Sequence, residues 1–331
     1  MKVKDIGEQG LLRILQKFCP AEIVGDDCAV MATTPNQSLA ITTDMLVDGV
    51  HFSDRTTGPY YAGWRAAAAN LSDLAAMGAK PLAVTVALAV AADTAVEWVE
   101  EFYRGMTACL QEYHTPIVGG DVVRSPVVTV AITAFGEVEC DRTIRRSNAR
   151  SGWAIVATGV HGASRAGLEL LLNPEFGQNL TEVDRASLIL AHQRPKPRLD
   201  VLPVVWEILD SAGEFSIAGM DSSDGLADAI IQICLASGVG AKVDRTKIPI
   251  PDIFSEIVST EKALDWALYG GEDFELVLFL PMANAELLVE KIGNGAAIVG
   301  ITTDSTDIWL TDSSGIYPDA GLKLDRGFQH F

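Results

Sequence analysis

Acidic residues with glycine or hydroxyl neighbours recur at points where secondary structure should change. Thr42-Thr43-Asp44 follows an apolar, β-branched run from Ser38 that reads as a strand, so Asp44 is expected at its end. Gly25-Asp26-Asp27 is a glycine turn carrying two adjacent carboxylates. Asn70 and Asp73 stand three apart in an alanine-rich segment, which puts both side chains on one face of a helix. Gly119-Gly120-Asp121 closes a further apolar run, where paired glycines would let a ligand or metal come close to the backbone. Asp221-Ser222-Ser223-Asp224-Gly225 joins a strand to a helix, and Gly270-Gly271-Glu272-Asp273 precedes another strand.

Singly, each has a plain structural explanation. An aspartate can open a turn, Asp or Ser can cap a helix, and a lone histidine such as His51 is more often a satisfied structural group than a ligand. Their number changes the balance. Were half of these acids to converge, repulsion would raise their pKa values unless divalent cations neutralised them. Oxygen ligands of this kind suit Mg²⁺, which takes one or two carboxylates and leaves its other positions to waters and substrate phosphates. A metal-filled carboxylate site with arginines nearby is what phosphoryl transfer requires, because its transition state spreads charge over non-bridging oxygens. Arg142, Arg145 and Arg146 are the densest basic cluster. No Ser-His-Asp order, Cys-His pair or His-rich zinc spacing competes with this reading.

The elements that must position these residues are legible in outline. Residues 6–18 have helical spacing and stop at Pro20; residues 59–77 read as a small-sided, tightly packable helix ended by Gly78. Residues 82–90 are an almost unbroken apolar strand. Residues 93–113 form a helix with Trp98, Phe102 and Met106 on one side and Tyr103 beside them, and residues 127–138 form another strand. Near Ser151-Gly152 the pattern restarts, which gives two mixed α/β domains, 1–150 and 151–331. In the second, strands are expected over 153–158, 216–221, 275–280, 296–301 and 307–311, with helices between them. The turn Gly159-Val160-His161-Gly162 evokes a phosphate loop but lacks the Gly-Lys-Ser/Thr ending, and reads better as a tight strand-to-helix connection.

Composition bounds the function. At 331 residues and 48% hydrophobic, the chain can bury two ordinary cores. Its formal net charge of −19 repels nucleic-acid backbones and anionic membranes, so neither is expected as a partner. The five cysteines are scattered and odd in number, without Cys-x-x-Cys, as in a reducing cytoplasm. No signal-peptide pattern opens the chain, and no apolar run of about 18 residues suggests a membrane span.

In this order, the motifs resemble the thiamine-monophosphate kinase family, of the superfamily containing aminoimidazole ribonucleotide synthetase and selenophosphate synthetase. The likeness rests on Gly25-Asp26-Asp27-Cys28-Ala29, Thr42-Thr43-Asp44 with His51-Phe52, and the run from Asn70 through Asp73 to Ala79. Gly119-Gly120-Asp121, Asp221 to Leu226, Gly270 to Leu276 and the terminal Gly327-Phe328-Gln329-His330-Phe331 complete it. The resemblance implies ATP-dependent phosphorylation of thiamine monophosphate to thiamine diphosphate by direct in-line transfer, with several Mg²⁺ ions. By motif position, Asp27, Thr42, Thr43, Asp44, Asp73, Asp121, Asp221 and Asp224 look like Mg²⁺ ligands, with Asp44, Asp121 and Asp224 closest to catalysis. Tyr103, Gly120, Asp121, Arg146 and Ser223 look like ATP contacts, and His51, Glu272 and Phe328 like the thiamine-phosphate site.

The resemblance also implies a cytoplasmic homodimer of two-domain chains. The N-terminal domain would contribute a β-barrel-like dimerisation sheet, and the C-terminal domain would cover the nucleotide cleft. One departure is Val122-Val123 after Gly-Gly-Asp, where the family commonly has threonines; it weakens hydroxyl ligation there and leaves Asp121 untouched. Two alternatives stay open: another ATP-dependent synthetase or phosphotransferase of the same superfamily, and a non-catalytic divalent-cation-binding protein. A Cys19 placed in a helix and the ending Gln329-His330-Phe331 count against the selenophosphate and hydrogenase-maturation branches.

Overall fold

The computed structural model, which describes residues 1–20, 23, 28–213, 216–293 and 295–327, divides into two units. Met1–Leu74 with Ala79–Cys140 make the first, and Ala75–Gly78 with Asp141–Phe331 the second. The switch falls at Asp141 rather than at the expected Ser151, because Ile144 and Ala149 are buried in cores of the second unit. Asp27 and Phe328 lie outside the described residues.

The first unit runs α1 (Val3–Leu15), β1 (Gln37–Val47), α2 (Pro59–Ala76), β2 (Lys80–Val90), α3 (Val96–Glu112), β3 (Ile117–Arg124) and β4 (Thr129–Glu139). Its strands form an open sheet in the order β1-β4-β2-β3, parallel only between β2 and β3. It is not a closed barrel. Two strands are longer than the sequence pattern indicates. The β1–β4 ladder continues from Asp44 opposite Ile132 to Val47 opposite Thr129, so Asp44 lies inside a strand and not at its end. Asp121 likewise sits within β3, an edge strand, opposite Ala87. Main-chain pairing carried these strands past the acids, whose side chains play no part in the ladder.

Alternation along β1 turns Thr42, Asp44 and Leu46 toward α2 and leaves the other face open. There Leu39, Ile41 and Met45 are 49%, 59% and 56% exposed. The hydroxyls of Thr43 and Thr133 meet across the ladder at 2.9 Å. Behind the sheet, α2 and α3 touch backbone to backbone. A Cβ on Gly63 would lie 1.8 Å from the Phe102 carbonyl oxygen, and one on Gly105 only 1.7 Å from that of Tyr60. This crossing seats Tyr103 and Phe102 in the core, 4% and 0% exposed.

The second unit holds β5 (Ala154–Ala157), α4 (Ala163–Leu172), α5 (Glu182–Gln193), α6 (Leu202–Ala212), β6 (Ala218–Asp221) and α7 (Leu226–Ser237). It continues with β7 (Gly240–Asp244), α8 (Phe254–Ile257), α9 (Thr260–Tyr269), β8 (Leu276–Leu280), α10 (Met282–Ile292), β9 (Ala297–Thr303), β10 (Ile308–Thr311) and β11 (Ala320–Gly321). The sheet order is β11-β10-β7-β9-β5-β8-β6. Both faces are covered, as β8 makes plain. Leu276, Leu278 and Leu280 pack with α6 and α10, while Val277 and Phe279 pack with α7 and α9. A strand buried on both sides reads as an unbroken apolar run. Among the described residues no helix is long and apolar enough to cross a membrane.

Because the α2–α3 crossing has no room for a side chain, Gly63→Ala must force the helices apart. It is expected to cost about 2 kcal/mol or more, at the upper end of overpacking effects. Gly58→Ala, with nothing within 4 Å of its added Cβ, serves as the matched control. Equal urea midpoints for the two variants would refute the close crossing.

Candidate functional site

In the first unit a polar seam joins β1 to α2. The Asp44 amide donates to Asn70 Oδ1 at 3.2 Å, and Asn70, fully buried, donates its own side-chain N–H to the Ala66 carbonyl at 3.0 Å. One helical turn on, Asp73 Oδ2 accepts a hydrogen bond from Thr42 Oγ1. Residues three apart on a helix thus meet residues two apart on a strand, since both steps advance by a few ångströms. His51 follows in the turn after β1, where its Nδ1 accepts the Val47 amide at 3.1 Å. That bond fixes the ring's orientation and leaves the neutral imidazole's proton on Nε2.

Beside the edge strand lies a cavity of about 270 Å³ lined by Tyr103, Gly120 and Asp121. These are three of the positions singled out for a nucleotide. Leu12, Leu15, Cys19 and Ile117 give it apolar walls, with Gln16 as a polar lining residue, and Cys28 also lines it. Burial pushes the Tyr103 phenol well above its usual pKa, so it stays a neutral hydroxyl. Gly120 has a further reason beside the one its sequence suggests. A Cβ there would meet the Val86 carbonyl oxygen at 2.1 Å, so strand packing by itself requires a glycine. Asp121 is exposed, with Oδ1 accepting the Val122 amide at 2.9 Å.

In the second unit three sequence-distant turns are tied together. The first links β5 to α4, the second is Asp221-Ser222-Ser223-Asp224-Gly225 between β6 and α7, and the third is Gly270 to Glu275 before β8. The Glu272 amide donates to the Ser223 carbonyl at 2.7 Å, and the Ser222 amide to the Glu275 carbonyl at 2.8 Å. Ser223 Oγ donates to Asp221 Oδ1 at 3.1 Å. His161 stands behind them, fully buried, with Nδ1 3.0 Å from the Gly159 carbonyl and Nε2 3.1 Å from Ser222 Oγ. The carbonyl must receive the ring proton, so Nε2 accepts from the serine. Asp273 accepts the amides of Gly162 at 2.6 Å and Ser164 at 2.9 Å. The start of α4 is therefore filled by the protein's own carboxylate, in keeping with a structural turn rather than a phosphate loop.

This third turn is strained. Glu272 and Phe274 adopt φ of +60° and +53°, a region that side chains with a Cβ rarely enter. Glu275 is half-buried. Thr158 Oγ1 donates to it at 2.6 Å and Arg198 pairs with it, yet burial still leaves its carboxyl above the usual range. Arg146 is exposed beside α7, whose Ser237 Oγ donates to its carbonyl at 2.7 Å. Its charge and that of Asp224 both reach Asp228, where burial dominates and raises the carboxyl pKa.

The sequence-predicted residues are thus gathered in part. Thr42, Asp44 and Asp73 meet at one seam; Thr43 faces the open side of the sheet; Tyr103, Gly120 and Asp121 share a cavity. Asp221, Ser223 and Glu272 meet at one pair of turns, with Asp224 and Arg146 close to Asp228. Among the described residues no group of three or more His, Cys, Asp or Glu side chains could hold a metal ion. Sequence reasoning missed His161, Glu275 and Arg198, because nothing local marks a group whose partners lie up to 117 residues away. Two non-glycine residues forced to positive φ after Gly270-Gly271 leave no sequence signal at all.

Comparison with known proteins places these features. Residues 25–138 match the family model for AIR synthase related protein, N-terminal domain. A thiamine-monophosphate kinase of Synechococcus elongatus is 48% identical, over 99% of this chain and 98% of its own. Among solved structures, thiamine-monophosphate kinase from Stenotrophomonas maltophilia superimposes with a TM-score of 0.76 at 31% identity, over 87% of this chain and 89% of that one. The structure described as AaThiL complexed with AMPPCP and TMP gives 0.73 at 29% identity, covering 98% and 99%.

Two buried groups in the turns should oppose each other as pH changes. Burial pushes the Asp273 carboxyl up to about 7 from an unfolded value of 3.8, so stability falls as pH rises through that window. Burial pushes His161 down to about 4 from 6.5, so its contribution rises with pH over nearly the same range. Asp273→Asn removes the falling part and keeps an oxygen for one of the two amides. Its urea midpoint should therefore climb more steeply than the native protein's between about pH 4 and pH 6.5. Parallel profiles would show that Asp273 is not protonated in the folded state.

Proposed function

We infer the working of the site from one premise: the chain belongs to the thiamine-monophosphate kinase family, and it phosphorylates thiamine monophosphate at the expense of ATP. What carries this conclusion is that the likeness to thiamine-monophosphate kinases covers 99% of the chain and so runs through both units. The direct assay is product analysis of the purified protein supplied with ATP, Mg²⁺ and thiamine monophosphate. Thiamine diphosphate formed one-for-one with ADP is the expected result; ADP without it would overturn the assignment.

Within that function we assign ATP to Tyr103, Gly120 and Asp121 in the first unit and to Arg146 and Ser223 in the second. The cavity beside β3 supports the first group, since apolar walls and an exposed edge strand suit a purine. His51 and Glu272 are assigned to the acceptor, together with Phe328. The Nε2–H of His51 can donate to the acceptor phosphate, and the Glu272 carboxylate can balance a cationic thiazolium. Thr42, Thr43, Asp44, Asp73 and Asp121 in the first unit, and Asp221 and Asp224 in the second, offer only oxygen, with Asp27 grouped with them by motif. An all-oxygen set of carboxylates and hydroxyls fits Mg²⁺, and small groups of acids suffice because substrate phosphates fill the remaining positions. Bound there, Mg²⁺ would neutralise the charge of two phosphate-bearing substrates.

Transfer is direct in this reading. An oxygen of the acceptor phosphate forms the new bond to the γ-phosphorus, while the bond to the β–γ bridging oxygen breaks and its electron pair leaves with ADP. The site's aspartates are committed to oxygen ligation, so none serves as a nucleophile. Inversion at a chirally labelled γ-phosphorus is expected.

A homodimer is part of the same reading. The open face of the first unit's sheet exposes Leu39, Ile41 and Met45, a patch that a second copy would cover. Asp44 and Asp121 also lie on opposite edge strands of that sheet. A second copy would bring one edge to the other. The five free cysteines suit a reducing cytoplasm.

Asp44→Asn and Asp121→Asn should each abolish turnover with the fold intact. If the two acids work across copies, refolding the variants together should restore roughly a quarter of native activity, through mixed dimers with one whole site. No recovery in the mixture would place both acids in a single-chain site.

A further inference from the structure

Glu272 is the one acceptor-site residue whose side chain is met by a buried histidine. His192, 2% exposed, sits in the last turn of α5, where α5 packs so tightly on α4 that a Cβ on Gly167 would be 2.1 Å from the Leu188 carbonyl. The same hypothetical Cβ would be 3.0 Å from His192 Cβ, so the imidazole has little freedom to move. Its Nδ1 lies 3.2 Å from Ser164 Oγ and 3.7 Å from Glu272 Oε2. Ser164 is itself fixed, because its amide is bound by Asp273.

Glu272 is held at its other end as well. Its amide is tied to the Ser223 carbonyl at 2.7 Å and its φ is +60°, so the backbone has little latitude. The side chain, 35% exposed, has three further torsions of its own. A carboxylate that must be ordered as the substrate arrives loses affinity to the entropy of ordering, and one already aimed does not.

We propose that His192 is a positioning residue for substrate recognition. Anchored by Ser164, it aims the Glu272 carboxylate at the site of the acceptor's cationic ring. The proposal rests on the assignment of Glu272 to the acceptor site. It predicts a selective effect, since a residue acting only through Glu272 changes recognition of the cationic substrate and nothing else.

The test is a double-mutant cycle on the full chain, reading KM for thiamine monophosphate, KM for ATP and kcat. His192→Ala should raise KM for thiamine monophosphate roughly tenfold, with KM for ATP and kcat within about twofold. His192→Asn, which keeps a polar atom near the Nδ1 position, should restore most of the affinity. His192→Gln, whose amide sits one bond further out, should not. In a Glu272→Gln background His192→Ala should add nothing, because the group it aims is gone. Multiplying effects of the two substitutions, or equal rises in both KM values, would overturn the positioning role. An unchanged KM in Glu272→Gln alone would instead sink the assignment of Glu272, and the proposal with it. Should His192→Ala not fold, the contrast between Asn and Gln decides, and equal KM values for those two would overturn the proposal.

Discussion

The second unit's site depends on one buried carboxylate. Asp273 takes the first amides of α4, and in doing so fixes a turn in which its neighbours on both sides are forced to positive φ. Strain of that kind persists only where surrounding bonds over-determine the backbone. Here they do: Ser222 and Ser223 bind the turn from one side, and Thr158 binds its exit at Leu276 from the other. Glu272 emerges from this frame with its backbone held at φ of +60° and its side chain partly exposed.

The acids do two kinds of work, and their bonding partners separate them. Asp273 and Glu275 are enclosed, and their carboxyls are held above the usual range by loss of water. They serve the architecture, closing a helix start and an arginine pair. Asp73 accepts from a hydroxyl and Asp121 from its neighbour's amide, and Asp44, Asp73, Asp121 and Asp224 all keep contact with solvent. Proximity in sequence gives no guide to the difference, since Glu272 and Asp273 are adjacent and fall on opposite sides of it.

The first unit works by a different constraint. Two glycines let α2 and α3 meet at the backbone, which leaves α2 free to lay Asn70 and Asp73 along β1. The sheet is covered on that face and apolar on the other, and its two acid-bearing strands are the edges. An edge strand offers unpaired main-chain groups as well as side chains, so the cavity beside β3 and the exposed apolar face follow from one strand order.

Much was determined by the sequence alone. Alternation and helical spacing fixed the mixed α/β class and most elements, and Asn70 with Asp73 declared a shared face because helix geometry is local. The order of short acidic motifs carried the family, since each motif is contiguous and each residue type is suited to phosphate chemistry. Tertiary structure decided the rest. Strand ends were set by pairing with β4 and β2, so Asp44 and Asp121 moved from termini to interiors. The unit boundary moved to Asp141 because Ile144 had a core to enter. A need for glycine at position 120 came from a neighbouring carbonyl. His161 and Glu275 acquired their surroundings from partners remote in sequence, and burial, the cause of their altered chemistry, is a property of the folded neighbourhood that no single stretch of chain contains.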